Sequence, residues 1–217
     1  MAVTVHGYRF SVYTRVLKMV LAVRAVPHAM RETGPFADPP DPDLTRISPF
    51  GLVPVLDHDG FIIHETSAIC RYVARAFPGE RLVPQNARAA ARMDQVIAII
   101  DAHGYWPMVR QVFAHGVFRP LTGAPGDSAQ VGEGLKAAEP VLRALEELAC
   151  EALVLSPADI TLADLHLAPM IGYFTMSPEG AKALRAHPAL GRWWARMQRH
   201  PAYLATDPGL ATLATGG

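Results

Sequence analysis

Short apolar runs and helical periodicity alternate along the first third of the chain. Val3-Thr4-Val5 predicts a strand, and the apolar residues between Thr14 and Ala25 recur at helical spacing. Two further apolar runs, at 52–56 and 61–63, predict a hairpin, and a helix follows from about Ser67 to Ala76. This order of elements predicts a small mixed α/β sheet covered by helices.

Strand patterns stop after residue 85, and helical patterns take over. Four helices are predicted: Ala87–Ala114 interrupted by Pro107, Ser128–Cys150, one that begins at Thr161, and Ala189–Arg199. Apolar residues line one face of the helix over Ser128–Cys150. A stretch around Phe77–Pro84, rich in turn residues, separates the two patterns. The sequence therefore predicts an α/β domain over 1–78 and an all-α domain over 86–217.

Composition narrows the class of protein. Lys plus Arg and Asp plus Glu number 20 each, and half of the residues are hydrophobic. This balance argues against nucleic acid or an anionic membrane as partner. The sequence has no apolar run of transmembrane length and no signal-peptide pattern. Two cysteines without a CxxC motif and nine scattered histidines indicate no metal site, and a reducing cytoplasm is the expected location.

The segment from Ser48 to Val73 carries the strongest signal. Pro54 stands inside an apolar run and has no N–H for a sheet ladder, so we expect it at a strand edge, with the Val53 backbone unpaired. A cis bond before Pro54 fits such an entry. Thr66 or Ser67 is a natural N-cap, and a helix start is an anion site. An extended peptide with a carboxylate suits this combination.

These residues resemble the glutathione transferase superfamily. The matching strings are Pro49-Phe50-Gly51, Val53-Pro54-Val55-Leu56, Glu65-Thr66 with Ala68-Ile69, and Tyr72. The resemblance implies an N-terminal thioredoxin-like domain, βαβαββα, whose second strand lies near Ala29–Glu32, followed by an all-α domain. It also implies glutathione as substrate or cosubstrate. The implied glutathione-binding residues are Ser11, Leu52, Val53, Pro54, Glu65 and Thr66. Leu52 departs from the family pattern, because a lysine or glutamine often stands there.

A second match lies about a hundred residues further on. Thr161 followed by Asp164 predicts a capping box, and apolar residues follow it, so Asp164 is expected to be structural rather than catalytic. The string Asp159-Ile160-Thr161-Leu162-Ala163-Asp164 resembles the buried capping-box helix of glutathione transferases. The resemblance thus covers most of the chain.

The thiol chemistry is expected at the first strand–helix junction. A thiol of ordinary pKa ~8.5 needs ~2.7 kcal/mol of preference for the anion to shift by about two units. A helix dipole supplies ~0.3–1 kcal/mol, so a hydroxyl donor is required as well. Tyr8, Ser11, Tyr13 and Thr14 are candidates. The string from Phe10 to Val16 resembles bacterial family members in which the Ser11 position contacts the thiol. Ser11 is the predicted catalytic residue, with Tyr8 or Tyr13, or no essential donor, as alternatives.

The electrophile pocket is predicted beside Pro107. Tyr105-Trp106-Pro107-Met108 combines aromatic rings and a flexible thioether at a proline, which suits a partly wet apolar pocket. The predicted lining residues are Tyr13, Tyr105, Met108 and Phe113. The same cluster is also compatible with a core or a dimer contact.

The function expected from the resemblance is that of a cytoplasmic transferase. It would conjugate the glutathione thiolate to small hydrophobic electrophiles in detoxification, without a metal and as a homodimer. The alternatives are a non-catalytic binding or regulatory protein of the same fold, and a glutathione-dependent isomerase, dehalogenase or peroxidase.

Overall fold

A computed structural model of the chain describes residues 2–36 and 41–210. The chain forms two compact units: Met1–Arg81 together with Ala205–Pro208, and Leu82–Leu204 together with Gly209–Gly217. Residues 37–40, and residues 211–217 of the predicted helical domain, lie outside the described residues.

The first unit is built on a four-stranded sheet in the order β2-β1-β3-β4. Its strands are β1 (Val3–Gly7), β2 (Ala29–Glu32), β3 (Val55–His58) and β4 (Phe61–Ile63). β1 runs parallel to β2 and antiparallel to β3, and β4 is antiparallel to β3. The thioredoxin-like fold class predicted from the sequence is confirmed, including the weak second strand.

Three helices accompany the sheet: α1 (Val12–Val23), α2 (Pro42–Ile47) and α3 (Thr66–Ala76). The inner face of α1 is fully buried at Val16, Leu17 and Val20, and α1 packs against α3. The short helix α2 is the second helix of the βαβαββα order that the resemblance implied, although no local sequence pattern located it. Asp41 caps it through hydrogen bonds from the amides of Asp43 and Leu44.

Two boundaries predicted near Pro54 and Thr66 are wrong in detail. β3 begins at Val55 rather than at 52, and it extends through Asp57 and His58, which were expected in the turn. Strand pairing starts only after the proline, because the proline nitrogen cannot donate to a ladder. The N-cap of α3 is Glu65 rather than Thr66 or Ser67.

The second unit consists of helices and connecting loops, and its described residues contain no strand. Its helices are α4 (Ala87–Ile99), α5 (Arg119–Leu121), α6 (Ser128–Glu151), α7 (Leu162–Phe174), α8 (Pro178–Arg185), α9 (Pro188–Met197) and α10 (Pro201–Ala205). Between α4 and α5 the chain stays helical, with wider π-type turns over Ile100–Gly104 and Trp106–Phe118. The expected interruption at Pro107 is therefore a change of helical hydrogen bonding rather than a break.

Helix α7 runs through the core of the second unit, and every residue of it is buried. The predicted capping box is confirmed: Thr161 donates from its amide and its hydroxyl to the same Asp164 oxygen, both at 2.8 Å. The other Asp164 oxygen accepts from Trp193 Nε1 at 2.8 Å. Burial raises the pKa of this carboxyl, although those hydrogen bonds and Arg196 oppose the shift. Asp164 thus has a structural role, because it joins the start of α7 to Trp193 of α9.

Among the described residues, no helix combines the length and the apolar character needed to cross a membrane.

Candidate active site

Ser11 caps the N-terminus of α1. Its Oγ accepts a hydrogen bond from the Thr14 amide at 3.2 Å, and its own amide donates to the Tyr8 carbonyl at 2.9 Å. The Ser11 side chain is half-buried, whereas Val12 beside it is buried and anchors the first turn. Because the Thr14 amide uses a lone pair of the Ser11 oxygen, the hydroxyl proton remains able to donate to an anion beyond the helix end.

The electrostatics of this helix end favour a negative charge. No carboxylate lies in the first turn of α1. The N-terminal amides of a helix and its dipole stabilise an anion that binds at the helix start. A thiolate next to Ser11 would therefore receive both the field of the helix and a hydroxyl hydrogen bond.

Tyr8, the rival donor, lies in an aromatic cluster rather than at the helix end. Its ring meets Phe10 edge-on at 5.5 Å between centroids and Phe36 at 5.9 Å. Burial, and secondarily the charge of Glu32, raises the pKa of the Tyr8 phenol. A raised pKa makes the phenol a weaker acid and so a weaker donor to a thiolate. Ser11 is the better-placed of the two.

The peptide bond between Val53 and Pro54 is cis, as the sequence suggested. The loop before it is closed by Ser48, whose hydroxyl donates to the Leu52 carbonyl at 3.0 Å and accepts from the Leu52 amide at 3.1 Å. Gly51 completes the turn with φ +62° and an amide bond to the Ser48 carbonyl. Leu52 itself points to solvent and is 62% exposed.

Val53 is half-buried, and no residue in 2–36 or 41–210 bonds to its backbone amide or carbonyl. A backbone amide and carbonyl next to a strand end can pair with an extended peptide in the manner of an added strand. Sequence reasoning expected this free backbone, and the contacts agree with it.

Glu65 has an unusual backbone, with φ 70° and ψ 110°. Positive φ is uncommon for a residue with a Cβ, and such outliers concentrate at functional sites. This turn makes Thr66 the first helical residue of α3 and leaves the exposed Glu65 carboxylate outside the helix. The Glu65 side chain does not cap the first amides of α3, so this helix end can receive a carboxylate.

The sheet register brings the start of α1, the Val53 backbone and the start of α3 to the same end of the sheet. His6 near the end of β1 pairs with Val55 at the start of β3, and Leu56 pairs with Ile63 at the end of β4. The segments that follow β1, precede β3 and follow β4 therefore leave the sheet at the same end. Those segments contain Ser11, Val53 and Glu65 with Thr66.

The predicted electrophile residues have different surroundings. Tyr13 is half-buried in the first turn of α1. In the helical unit, Tyr105 is half-buried, and burial raises the pKa of its phenol against the opposing effect of Arg110. Met108 is fully buried, and Phe113 packs on Tyr173 with ring centroids 4.3 Å apart. The last two residues fill the interior of their unit.

Three features of the site were missed in the sequence. The first is the Ser48 hydroxyl staple on Leu52, and the second is the positive φ of Glu65. The third is Arg9, whose amide donates to Glu32 at 2.8 Å and whose guanidinium donates to the Pro208 carbonyl at 3.1 Å. The proline that follows Ser48 is a turn signal that could have pointed to the first feature. Contacts across 199 residues, as for Arg9, leave no local signal.

The geometry thus shows a thioredoxin-like unit in which two helix starts and an unpaired strand-end backbone lie at the same end of the sheet. Comparison with known proteins is more specific. The family model for the glutathione S-transferase N-terminal domain matches residues 5–81, and that for the C-terminal domain matches residues 112–201.

Curated relatives and solved structures agree with the family models. The chain is similar to glutathione S-transferase F13 of Arabidopsis thaliana, at 30% identity over 80% of each chain. Glutathione S-transferase 4 of Zea mays is 28% identical, with 93% of this chain and 90% of the relative covered. A structure of glutathione S-transferase III in apo form superposes with a TM-score of 0.84 at 24% identity, covering 97% of each chain. The chain belongs to the glutathione S-transferase family.

Proposed function

We propose that this protein is a glutathione transferase that conjugates the thiolate of glutathione to hydrophobic electrophiles. The observation that carries the proposal is the hydroxyl of Ser11 at the start of α1, with its oxygen engaged by the Thr14 amide and its proton free to donate. Membership of the family indicates glutathione as the substrate, and the Ser11 hydroxyl at a helix start explains how its thiolate would be stabilised.

Three groups hold glutathione in this proposal. The Val53 backbone pairs with the cysteinyl residue, and the uncapped start of α3 at Thr66 receives the γ-glutamyl carboxylate. The exposed Glu65 carboxylate faces the γ-glutamyl ammonium. Pro54 fixes the direction of the strand that follows, and Leu52, whose backbone is held by Ser48, offers its exposed apolar side chain.

Ser11 acts on the sulfur. A hydrogen bond to a charged group contributes ~1.5–3 kcal/mol. The helix dipole adds ~0.3–1 kcal/mol. Together these cover the ~2.7 kcal/mol that a pKa shift of about two units requires. The thiol loses its proton to solvent, and the thiolate then forms an S–C bond to the electrophile. The leaving group departs with its electron pair, or the electrophile takes up a proton when the reaction is an addition.

The electrophile in this proposal is apolar or aromatic. The loop that carries Ser11 holds the Tyr8 and Phe10 rings, and Phe36, which follows β2, packs on Tyr8 and is 68% exposed. Such a surface suits flat apolar molecules better than charged ones. Tyr13, Tyr105, Met108 and Phe113 remain the candidate electrophile-binding residues. A detoxifying role follows from this substrate class.

We further propose a cytoplasmic homodimer. The first unit exposes large apolar side chains, among them Phe50 at 66% and Phe61 at 55%. An apolar surface of this kind suits contact with a second copy. Sedimentation at micromolar concentration should give twice the 23.5 kDa mass of the chain. A single species of monomer mass would overturn this part of the proposal.

The experiment for the proposed function follows glutathione and an aryl halide together. We expect one glutathione consumed and one thioether formed per halide released, without oxidised glutathione. Oxidised glutathione as product would indicate a peroxidase. Recovery of free glutathione after turnover would indicate an isomerase. Binding of glutathione without turnover of any electrophile would indicate a binding protein.

A further inference from the structure

The chain returns to its first unit near the C-terminus. Residues 201–204 belong to the helical unit, whereas Ala205–Pro208 group with the sheet unit. Within this short segment Thr206 is 5% exposed, and Pro208 is also buried. Residues 206–208 follow the end of α10 and belong to no helix or strand, so the backbone polar groups at the buried Thr206 and Pro208 need partners elsewhere.

Arg9 supplies one of those partners. Its guanidinium donates to the Pro208 carbonyl at 3.1 Å and lies over the Phe10 ring, 4.7 Å from the ring centroid. Its backbone amide donates to the Glu32 carboxylate at 2.8 Å. Arg9 therefore joins the C-terminal segment to the end of β2 and to the loop that carries Ser11.

This loop is short, and its position decides where the Ser11 hydroxyl points. Only Phe10 separates Arg9 from Ser11, and the Ser11 amide is held by the Tyr8 carbonyl at 2.9 Å. The Phe10 ring contacts both the Arg9 guanidinium and the Tyr8 ring. The Arg9 guanidinium is thus connected to the helix start through the Phe10 ring and the backbone.

We propose that residues 205–208 are a strap across the loop between β1 and α1, and that Arg9 is a positioning residue that latches it. The latched strap holds Ser11 in the conformation that donates to the thiolate. This inference rests on the proposed function for its consequence in catalysis, but the latch itself is a property of the folded chain.

The test replaces Arg9 by methionine, which keeps the apolar stem and removes the donor. Amide hydrogen exchange over residues 205–210 should become about tenfold faster, the size expected for loss of one hydrogen bond to a charged group. The ultraviolet absorbance of the bound thiolate should show a higher thiol pKa, and kcat should fall about tenfold while KM for glutathione changes little. Arg46→Met is the matched control, because Arg46 is exposed and pairs only loosely with Asp43 at 3.8 Å. It should leave all of these quantities unchanged.

Two results would overturn the inference. Unchanged exchange over residues 205–210 in Arg9→Met would show that Arg9 is not a latch. Faster exchange with an unchanged thiol pKa would show that the strap does not position Ser11. Should Arg9→Met fail to fold, Arg9→Leu, which also lacks a donor, carries the same expectations. A wild-type protein without conjugating activity would defeat the proposed function, and the exchange and thiol measurements would still decide the inference.

Discussion

The side chain of Ser48 holds both backbone polar groups of Leu52, donating to the carbonyl at 3.0 Å and accepting from the amide at 3.1 Å. Ser48 is 1% exposed, so water does not compete for its hydroxyl. Leu52 precedes the Val53 backbone that the proposal assigns to glutathione. The loop before the cis bond is thus fixed by one hydroxyl group.

Ser48→Ala should therefore raise KM for glutathione about tenfold, which corresponds to the ~1–1.5 kcal/mol of a lost neutral hydrogen bond, while kcat changes little. Initial-rate kinetics at varied glutathione check this. Thr45→Ala is the matched control, because the Thr45 hydroxyl bonds only to the Pro42 carbonyl at an exposed position. A fall in kcat at constant KM would contradict the prediction that Ser48 supports glutathione binding.

Asp164 should dominate the stability of the helical unit. Asp164→Ala leaves the Thr161 and Trp193 donors unpaired in the core and should lower the free energy of unfolding by about 3–5 kcal/mol. Urea unfolding measures this. The exposed Asp159, five residues earlier, provides the control: Asp159→Ala should change stability by less than ~0.5 kcal/mol. Similar values for the two variants would contradict the structural role of Asp164.

His6 should make folding stability depend on pH. Burial, and then the charge of Arg31, lowers the pKa of His6 from its ordinary value of 6.5. The unfolded chain therefore takes up this proton first as pH falls, so stability present above pH 6.5 is lost as pH drops through the folded pKa.

The free energy of unfolding at pH 8 and pH 5 tests this in wild type and His6→Gln. Wild type should lose more stability between the two pH values than His6→Gln does. His103→Gln, at an exposed position, should behave as wild type. Equal losses in wild type and His6→Gln would contradict the assignment.

Substitutions at Tyr105 and Met108 can distinguish residues that line an electrophile pocket from residues that only fill the core. Tyr105→Ala should change the ratio of kcat/KM between a bulky aryl and a small alkyl electrophile by at least about tenfold, the lower end of what one buried methylene contributes to discrimination. Met108→Ala, at a fully buried position, should also cost ~2–5 kcal/mol of stability. Trp106→Ala, at a side chain 62% exposed, should leave stability nearly unchanged. If neither Tyr105→Ala nor Met108→Ala alters the ratio, both residues are core and the electrophile binds elsewhere.

Local sequence patterns predicted several features of both units. The proline inside an apolar run correctly predicted a cis bond and an unpaired Val53 backbone, because proline has few compatible settings. The strand that follows it, β3, is nevertheless an interior strand between β1 and β4 rather than an edge strand. The capping box at Thr161 and Asp164 was equally readable, since its two residues are three apart in sequence.

Other features depend on tertiary context, and the sequence did not predict them. The positive φ of Glu65 has no local residue preference behind it, so the N-cap was expected at Thr66 or Ser67. The partners of Arg9 and Glu146 lie far along the chain: Glu146 accepts from the amides of Ala189 and Leu190 at the start of α9, at 2.9 and 2.8 Å. Contacts of this kind are fixed by packing rather than by pattern.

The most direct test of the account is the pKa of the glutathione thiol when bound. We predict that wild type holds this pKa well below the free value of ~8.5. Ser11→Ala should raise it by about one to two units while glutathione affinity stays nearly the same, because the lost hydrogen bond acts on the thiolate. Tyr8→Phe should leave it unchanged. An equal thiol pKa in wild type and Ser11→Ala would contradict the assignment of Ser11 as the group that activates glutathione.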